Sequence, residues 1–295
     1  MSQDLVSVVI TTYGRDVKLL SQAIQSVREQ TYKEIELILV DDNGEGTEIQ
    51  KKNQKMFSKS GDVCYVPNKK NSGAQFSRNI GILKSSGEYV AFLDDDDLWM
   101  PDKIEKQMEF LKDNHLDMVF TNGFRFYNND LEQKTIYQQR FISDRLIAYE
   151  TELKADRIGS TSHPLIRKEC FAKAGMFDLD MPARQDYEMW LRLCKDYRVQ
   201  GINEPLFYYR YHEGDRITKG HAKELRSYQL LWMKYKADYK RDCRARANIL
   251  FTIALTQWKM KRMVSAGFWG LRSIASSPKT IMNLISNYRK KRPQF

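Results

Sequence analysis

Short apolar runs alternate with amphipathic stretches over the first hundred residues. Val6-Ser7-Val8-Val9-Ile10 is a β-branched run that ends in Thr11-Thr12-Tyr13-Gly14-Arg15. Leu19, Leu20, Ala23, Ile24 and Val27 then fall at helical spacing. Ile35–Val40 is a second apolar run and ends in Asp41-Asp42. A polar helix over 47–59, a short strand over 63–66, a turn at Asn71-Ser72-Gly73 and a helix over 74–83 follow. Tyr89-Val90-Ala91-Phe92-Leu93 is the fourth strand. Runs this apolar suit strands buried on both faces, so the β-α-β-α-β-α-β order predicts a parallel sheet with right-handed crossovers.

Beyond the fourth strand, Pro101 stands at an expected first helical position. Ile104, Met108 and Leu111 give that helix its apolar face. Residues 117–124 read as a strand. Segment 125–157 is polar and aromatic without a clear period, which fits an insertion or a loop over a site. Order resumes at 162–166 and in a helix near 168–174. Asp186 then opens a helix faced by Met189, Trp190, Leu193, Cys194 and Tyr197. Residues 205–211 read as a strand leading to His212, and from about residue 222 the pattern is helical throughout.

The net charge of +10 divides unevenly. Residues 1–218 hold 30 Lys+Arg and 35 Asp+Glu, a net of −5, and residues 219–295 hold 18 and 3, a net of +15. An acidic body argues against a nucleic-acid channel, and a basic tail suggests an anionic partner surface. The four cysteines are widely spaced without a CxxC pair, as reduced core thiols of a cytosolic protein would be. No basic leader precedes the first strand, and no apolar stretch approaches the ~18 residues of a membrane span, so neither signal peptide nor transmembrane helix is expected.

The chemistry concentrates at Asp94-Asp95-Asp96-Asp97, directly after the fourth strand. Open α/β sheets bind ligands at that edge. Four adjacent carboxylates repel, so a cation is expected to hold them. Hard oxygens suit Mg²⁺ or Mn²⁺, which suit a diphosphate. A solvated acidic loop with a helix cap is the plainer alternative.

Five segments in order resemble the motifs of family 2 glycosyltransferases: VSVVITTYGR (6–15), ILVDDN (38–43), NSGAQFSRNIG (71–81), FLDDDDLWMP (92–101) and QDYEMWLRL (185–193). The resemblance spans about residues 5–215. It implies an inverting enzyme with a GT-A fold, a Rossmann-like, mostly parallel α/β sheet flanked by helices. Residues 1–218 would form that nucleotide-sugar-binding and catalytic domain, and 219–295 a helical appendage. The donor implied is a UDP-sugar or dTDP-sugar, and the acceptor a glycan or lipid-linked glycan of a bacterial surface polysaccharide.

The resemblance also implies residue roles. Asp41 accepts a hydrogen bond from the uracil or thymine N3–H, with Thr11 and Tyr13 lining the base pocket. Asp96 is the principal ligand of a Mn²⁺ or Mg²⁺ ion, Asp94 shares the ion or contacts ribose, and Asp95 stands as an alternative for the ribose. Alternate residues on an extended backbone share a face, so Asp94 and Asp96 can address one ion. Asp97 is expected in the cap region of the helix at Pro101. Arg78 faces a phosphate or forms a surface ion pair. His212 follows the last strand near the metal or diphosphate, or is a surface histidine. Asp186 is the general base, in a position that also suits a helix cap.

The basic tail interleaves aromatics with Lys and Arg, which suits a helix lying on the anionic inner face of the cell membrane. A helical subdomain packed on the body, or an oligomer contact, is the alternative. A catalytically silent nucleotide-sugar or nucleic-acid binder acting through the tail is the rival function. No GxGxxG follows the first strand, which disfavours a dinucleotide-dependent dehydrogenase.

Overall fold

The structure is a computed structural model and describes residues 4–127, 130–137, 146–147, 149–211 and 220–290. Strands β1 (Val6–Thr12), β2 (Ile35–Asp41), β3 (Val63–Pro67) and β4 (Tyr89–Asp94) pair in parallel in the order β3-β2-β1-β4. Val8 and Ile10 of β1 enter a core on one face of the sheet, and Val9 enters a core on the other. That two-sided burial is why the run carries no polar alternation.

Helices α1 (Val17–Arg28), α2 (Glu48–Phe57) and α3 (Ala74–Lys84) make the crossovers. Asp16 caps α1 by accepting from the Lys18 amide at 2.8 Å, and Thr47 caps α2 through the Gln50 amide at 3.2 Å. α3 approaches β1 so closely that a Cβ built on Gly81 would lie 2.2 Å from Val9 Cγ1. Helix α4 (Lys103–Asp113) begins two residues after Pro101.

Past β4 the sheet becomes mixed, which the first four strands did not announce. β8 (Leu165–Arg167) pairs antiparallel with β4 and with β6 (Met118–Tyr127). β6 runs parallel to β9 (Val199–Tyr211), and β5 (Leu98–Trp99) pairs antiparallel with β9 at the edge. Within segment 125–157, β6 continues to Tyr127, and β7 (Asp130–Ile136) folds back on it antiparallel. The side chains of β7 are almost all exposed, which explains its missing apolar period. Helix α5 (Tyr149–Lys154) closes that segment.

Helices α6 (Cys170–Ala174) and α7 (Gln185–Asp196) precede β9, and α8 (His221–Lys234), α9 (Lys236–Arg241), α10 (Cys243–Lys259), α11 (Met263–Ser276) and α12 (Pro278–Lys290) follow it. The first three of these five do not stand apart from the body. Leu225, Tyr235, Tyr239, Leu250 and Ile253 form one core with Leu153 of α5, Met181, and Tyr187 and Leu191 of α7. The packed subdomain among the sequence readings therefore describes α8–α10, and Trp269 of α11 packs against the same core. Among the described residues no helix is long and apolar enough to cross a membrane.

Candidate active site

Register brings the site together at one edge of the sheet. Thr12 pairs with Asp41, and Thr11 pairs with Asp94, so the last residues of β1, β2 and β4 align. β2 and β3 lie on one side of β1 and β4 on the other, so the chain switches direction there. A crevice opens at such a switch point.

The four acidic residues occupy four different environments. Asp94 Oδ1 accepts from Arg78 Nη2 at 2.8 Å and from Thr161 Oγ1 at 3.0 Å. Asp95 is buried and accepts from Thr12 Oγ1 at 2.7 Å and Arg15 Nε at 2.8 Å. Burial pushes its carboxyl up to about 6, with Asp96 adding to the shift and Arg15 opposing it. Asp96 pairs with Arg15 Nη2 at 2.9 Å. Asp97 is fully buried and accepts from Ser162 Oγ at 2.7 Å and from the Arg210 amide at 3.1 Å. Desolvation, then the Asp96 and Asp94 charges, raise its carboxyl far above the usual range. Asp97 is thus a tether between the acidic turn, the 160–163 loop and β9, not a cap of α4.

The repulsion that the sequence seemed to assign to a metal is met in this structure by guanidinium groups. Arg15 serves Asp95 and Asp96, Arg78 serves Asp94, and Arg210 Nε donates to the Asp96 carbonyl at 2.7 Å. Neither Arg15 nor Arg210 stands out in the sequence, because a lone arginine in a loop or at a strand end has no period to betray it. Thr12, Thr161 and Ser162 were equally silent.

Of the base-side residues, Asp41 is the one whose acceptors are already taken. Asp41 is fully buried, and each of its oxygens takes two donors. Oδ1 accepts from the Asn43 amide at 3.0 Å and Asn43 Nδ2 at 2.7 Å. Oδ2 accepts from Asn53 Nδ2 and Tyr65 Oη, both at 2.8 Å. A carboxylate so occupied has no acceptor left for a base. Its neighbour Asp42 accepts from Asn68 Nδ2 and from the Ser72 and Gly73 amides, which seats the 71–73 turn. Asn43 Oδ1 in turn accepts from the Gly14 amide at 2.7 Å, locking together the loops after β1 and β2. Thr11 is half-buried at the strand end, and Tyr13, in the loop after it, is 60% exposed.

Arg78 and Asp186 come from different helices and act on one another electrostatically. Arg78 rises from α3, is buried, and packs over Phe177 with 5.7 Å to the ring centroid. Its second amino group, Nη1, is buried without a hydrogen-bond partner among the described residues. Asp186 lies in the first turn of α7. Desolvation raises its carboxyl, Arg184 and Arg78 oppose that shift, and Asp94 adds to it. Those influences place Asp186 within electrostatic reach of the acidic run. Its Oδ1 accepts from the adjacent Tyr187 amide at 2.8 Å. The cap position belongs instead to Arg184, held left-handed at φ 57°, which pairs with Glu224 of α8 at 2.9 Å. A non-glycine residue in that conformation marks local strain kept in place by its surroundings.

A hard divalent cation matches the oxygen chemistry of Asp94 and Asp96, whose side chains are 28% and 18% exposed. Oδ2 of Asp94 accepts no hydrogen bond from the described residues. No group of three or more His, Cys, Asp and Glu converges on a metal-sized site among the described residues. His212 lies outside the described residues.

The strand-end crevice with its acidic turn is where an open α/β sheet takes a ligand, and similarity to known proteins gives the family. The chain matches the family model described as glycosyl transferase family 2 over residues 7–173, and it belongs to that family. It is 30% identical over 203 residues to Escherichia coli WfgD, a UDP-Glc:alpha-D-GlcNAc-diphosphoundecaprenol beta-1,3-glucosyltransferase, covering 69% of this chain and 75% of WfgD. It is 31% identical over 210 residues to Bacillus subtilis TuaG, a glycosyltransferase named for teichuronic acid biosynthesis, covering 70% of this chain and 79% of TuaG. An uncharacterized glycosyltransferase of Methanocaldococcus jannaschii is 28% identical over 80% of this chain and 81% of its own. The GT-A fold is shared with S. aureus TarS 1–349 in complex with UDP-GlcNAc, at TM-score 0.62 and 13% identity, over 99% of this chain and 93% of that one. The chain spans 54% of the longer TarS structure, at TM-score 0.57.

Proposed function

We propose that this family 2 glycosyltransferase moves a sugar, with inversion, from a UDP-sugar to a hydroxyl of a glycan or lipid-linked glycan in surface-polysaccharide synthesis. The observation that carries the reading is Arg78 paired to Asp94 at 2.8 Å, with Asp186 within electrostatic reach of both. The UDP assignment draws on the donor in the name of WfgD and the UDP-GlcNAc bound to TarS. dTDP is the alternative nucleotide.

The chain's own groups suffice to order the reaction. Thr11 and Tyr13 receive the base, while Asp41 shapes the loop beside it from within. Arg78 turns its unpaired Nη1 to the diphosphate. The acceptor oxygen attacks the anomeric carbon as the bond to the diphosphate breaks, the electron pair leaves with the diphosphate, and the acceptor proton passes to Asp186. Attack from the face opposite the leaving group inverts the centre, and a positioned base supplies about 10²–10⁴ in rate. Mn²⁺ or Mg²⁺, held by Asp96 and Asp94, would supply further charge neutralisation for the leaving diphosphate. Asp95 is committed to Thr12 and Arg15, so the ribose contact falls to Asp94 in this reading.

A peripheral position on the cytoplasmic face of the membrane, through the basic C-terminal region, would bring the crevice to a lipid-linked acceptor. A silent binder would have no use for Asp186, a raised carboxyl within electrostatic reach of the acidic turn. The test is incubation with a panel of UDP- and dTDP-sugars and undecaprenyl-diphosphate-linked acceptors, following nucleotide release and anomeric configuration. Transfer with inversion is expected. Transfer with retention, or nucleotide release without a glycosylated product, would reject the proposal.

A further inference from the structure

The part of the tail beyond α10 presents an apolar face to solvent. On α11, Met263, Val264, Phe268, Leu271 and Ile274 are all exposed, Val264 at 92% and Leu271 at 70%. Their spacing puts them on one side of the helix. The opposite side carries Ala266 and Ser273 and packs on α10, where Ser273 Oγ donates to the Ala247 carbonyl at 2.8 Å. Met282 and Ile285 of α12 are exposed as well, and Trp258, 49% exposed, lines one groove with Met263. Between α10 and α11 lies a groove of about 320 Å³ whose lining, from Phe251 and Leu255 to Met263 and Gly267, is apolar. A contiguous patch of this kind marks an interaction surface.

Charge selects the partner. Residues 243–295 contain eleven Lys and Arg and no Asp or Glu. Lys259, Lys261 and Arg262 cluster at the α10–α11 turn beside Trp258, Met263 and Val264, and all six are exposed. None of those three, nor Arg272 or Lys279, forms an ion pair among the described residues. A second copy would bring the same positive surface against itself. RNA would find two exposed rings, Trp258 and Phe268, among aliphatic side chains, Met263, Val264, Leu271 and Ile274, that give a base nothing to stack on. An anionic bilayer satisfies both halves, with headgroups for the cations and the acyl boundary for the apolar stripe.

We infer that α11, with the α10–α11 turn and the exposed side of α12, is the bilayer-contacting surface of this protein, lying in the interface of anionic lipid without crossing it. This deepens the peripheral location proposed above and does not depend on the transfer reaction. Val264, Phe268 and Leu271 enter the acyl boundary, Trp258 sits at headgroup level, and Lys259, Lys261 and Arg262 hold the anionic headgroups.

The test is sedimentation of the full chain with vesicles of phosphatidylcholine alone or mixed with phosphatidylglycerol, at low and high salt. Two variants accompany it, Val264→Ser/Phe268→Ser/Leu271→Ser and Lys259→Gln/Lys261→Gln/Arg262→Gln. Every changed side chain is exposed, so both variants keep the parent melting curve and any stabilisation by UDP, which separates this outcome from failure of the nucleotide reading. Binding is expected to mixed vesicles only, weakened by salt and reduced at least about tenfold in each variant. Equal binding to neutral vesicles, or undiminished binding by either variant, would overturn the inference. So would a dimer that disperses in the serine variant, or capture of RNA with vesicles left unbound.

Discussion

Arg15 and Asp95 are joined at 2.8 Å, and the same guanidinium reaches Asp96 at 2.9 Å. One cation from the loop after β1 therefore balances two carboxylates from the turn after β4. The pairing is incomplete for Asp95, whose buried carboxyl still titrates near 6, above the ~3.9 of an unfolded chain. Between those values the folded protein binds the proton that the unfolded chain has released. Stability therefore falls as pH rises through that window, by about 3 kcal/mol if Asp95 acts alone. Asp95→Asn keeps an oxygen for Arg15 Nε and removes the buried charge. Its melting temperature should exceed the parent's near pH ~7 and lose that advantage by pH ~4. Arg15→Ala strips the compensating charge and should cost about 3 kcal/mol at neutral pH, measured by urea unfolding.

Asp186→Asn should retain UDP affinity within a few-fold and lower the transfer rate at least about a hundredfold, the range of general-base contributions. Because burial raises the Asp186 carboxyl and the base must be ionised, the parent rate should climb with pH on its acid limb. The asparagine variant should lack that limb. A full rate in Asp186→Asn, measured as UDP release coupled to product, would remove the base assignment.

Arg78 has one buried amino group on Asp94 and a second with no partner among the described residues. Arg78→Ala should weaken UDP binding by titration calorimetry about tenfold or more, the worth of a hydrogen bond to a charged group. Arg78→Lys should recover little, since an ammonium cannot reach two acceptors in one plane. Uridine, which has no phosphate, should bind parent and variant alike.

Divalent ions offer a further check on the acidic turn. Mn²⁺ should raise the thermal stabilisation given by UDP, chelation should remove the increment, and Asp96→Ala should abolish it. Loss of the increment in Asp97→Asn with Asp96 intact would shift the metal role to the buried residue. The geometry expects Asp97→Asn to matter for stability alone.

Gly81 on α3 faces Val9 on β1, and an added Cβ would fall 2.2 Å from Val9 Cγ1. Gly81→Ala should destabilise by about 3 kcal/mol, at the upper end for overpacking. Val9→Ala in the same chain should return part of that loss, which differential scanning calorimetry would show. Since α3 carries Arg78, UDP affinity should fall with the single change and recover with the double.

The sequence made the parallel half of the sheet legible because its strands are buried on both faces and its crossovers keep a helical period. It placed the acidic turn at a strand end for the same reason. It did not reveal β7, whose side chains face solvent, nor β8, three residues long with its partners on both sides. At the site, residue type was informative and side-chain neighbourhood was not. Asp94, Asp95, Asp96 and Asp97 are indistinguishable in a row of letters, yet one is tied to α3, two to Arg15 and one to β9. Asp41 read as a ligand group because it ends a strand. Its four acceptor sites are filled from its own surroundings, two by nearby Asn43 and two by Asn53 and Tyr65 from elements that no local pattern connects to it.

The core shared by α7 with α8 and α10 fixes where the chain tolerates being cut. Removing everything after residue 218 would strip the cover from Leu153, Met181, Tyr187 and Leu191 and loosen the helix whose first turn holds Asp186. A stable enzyme therefore keeps α8–α10, and α11 covers α10 through buried Ala266 and Ser273 while its Trp269 packs on the same core. A cut before α11 would uncover that packing too, so catalysis and surface attachment are divided by changing the outer face of α11, not by shortening the chain.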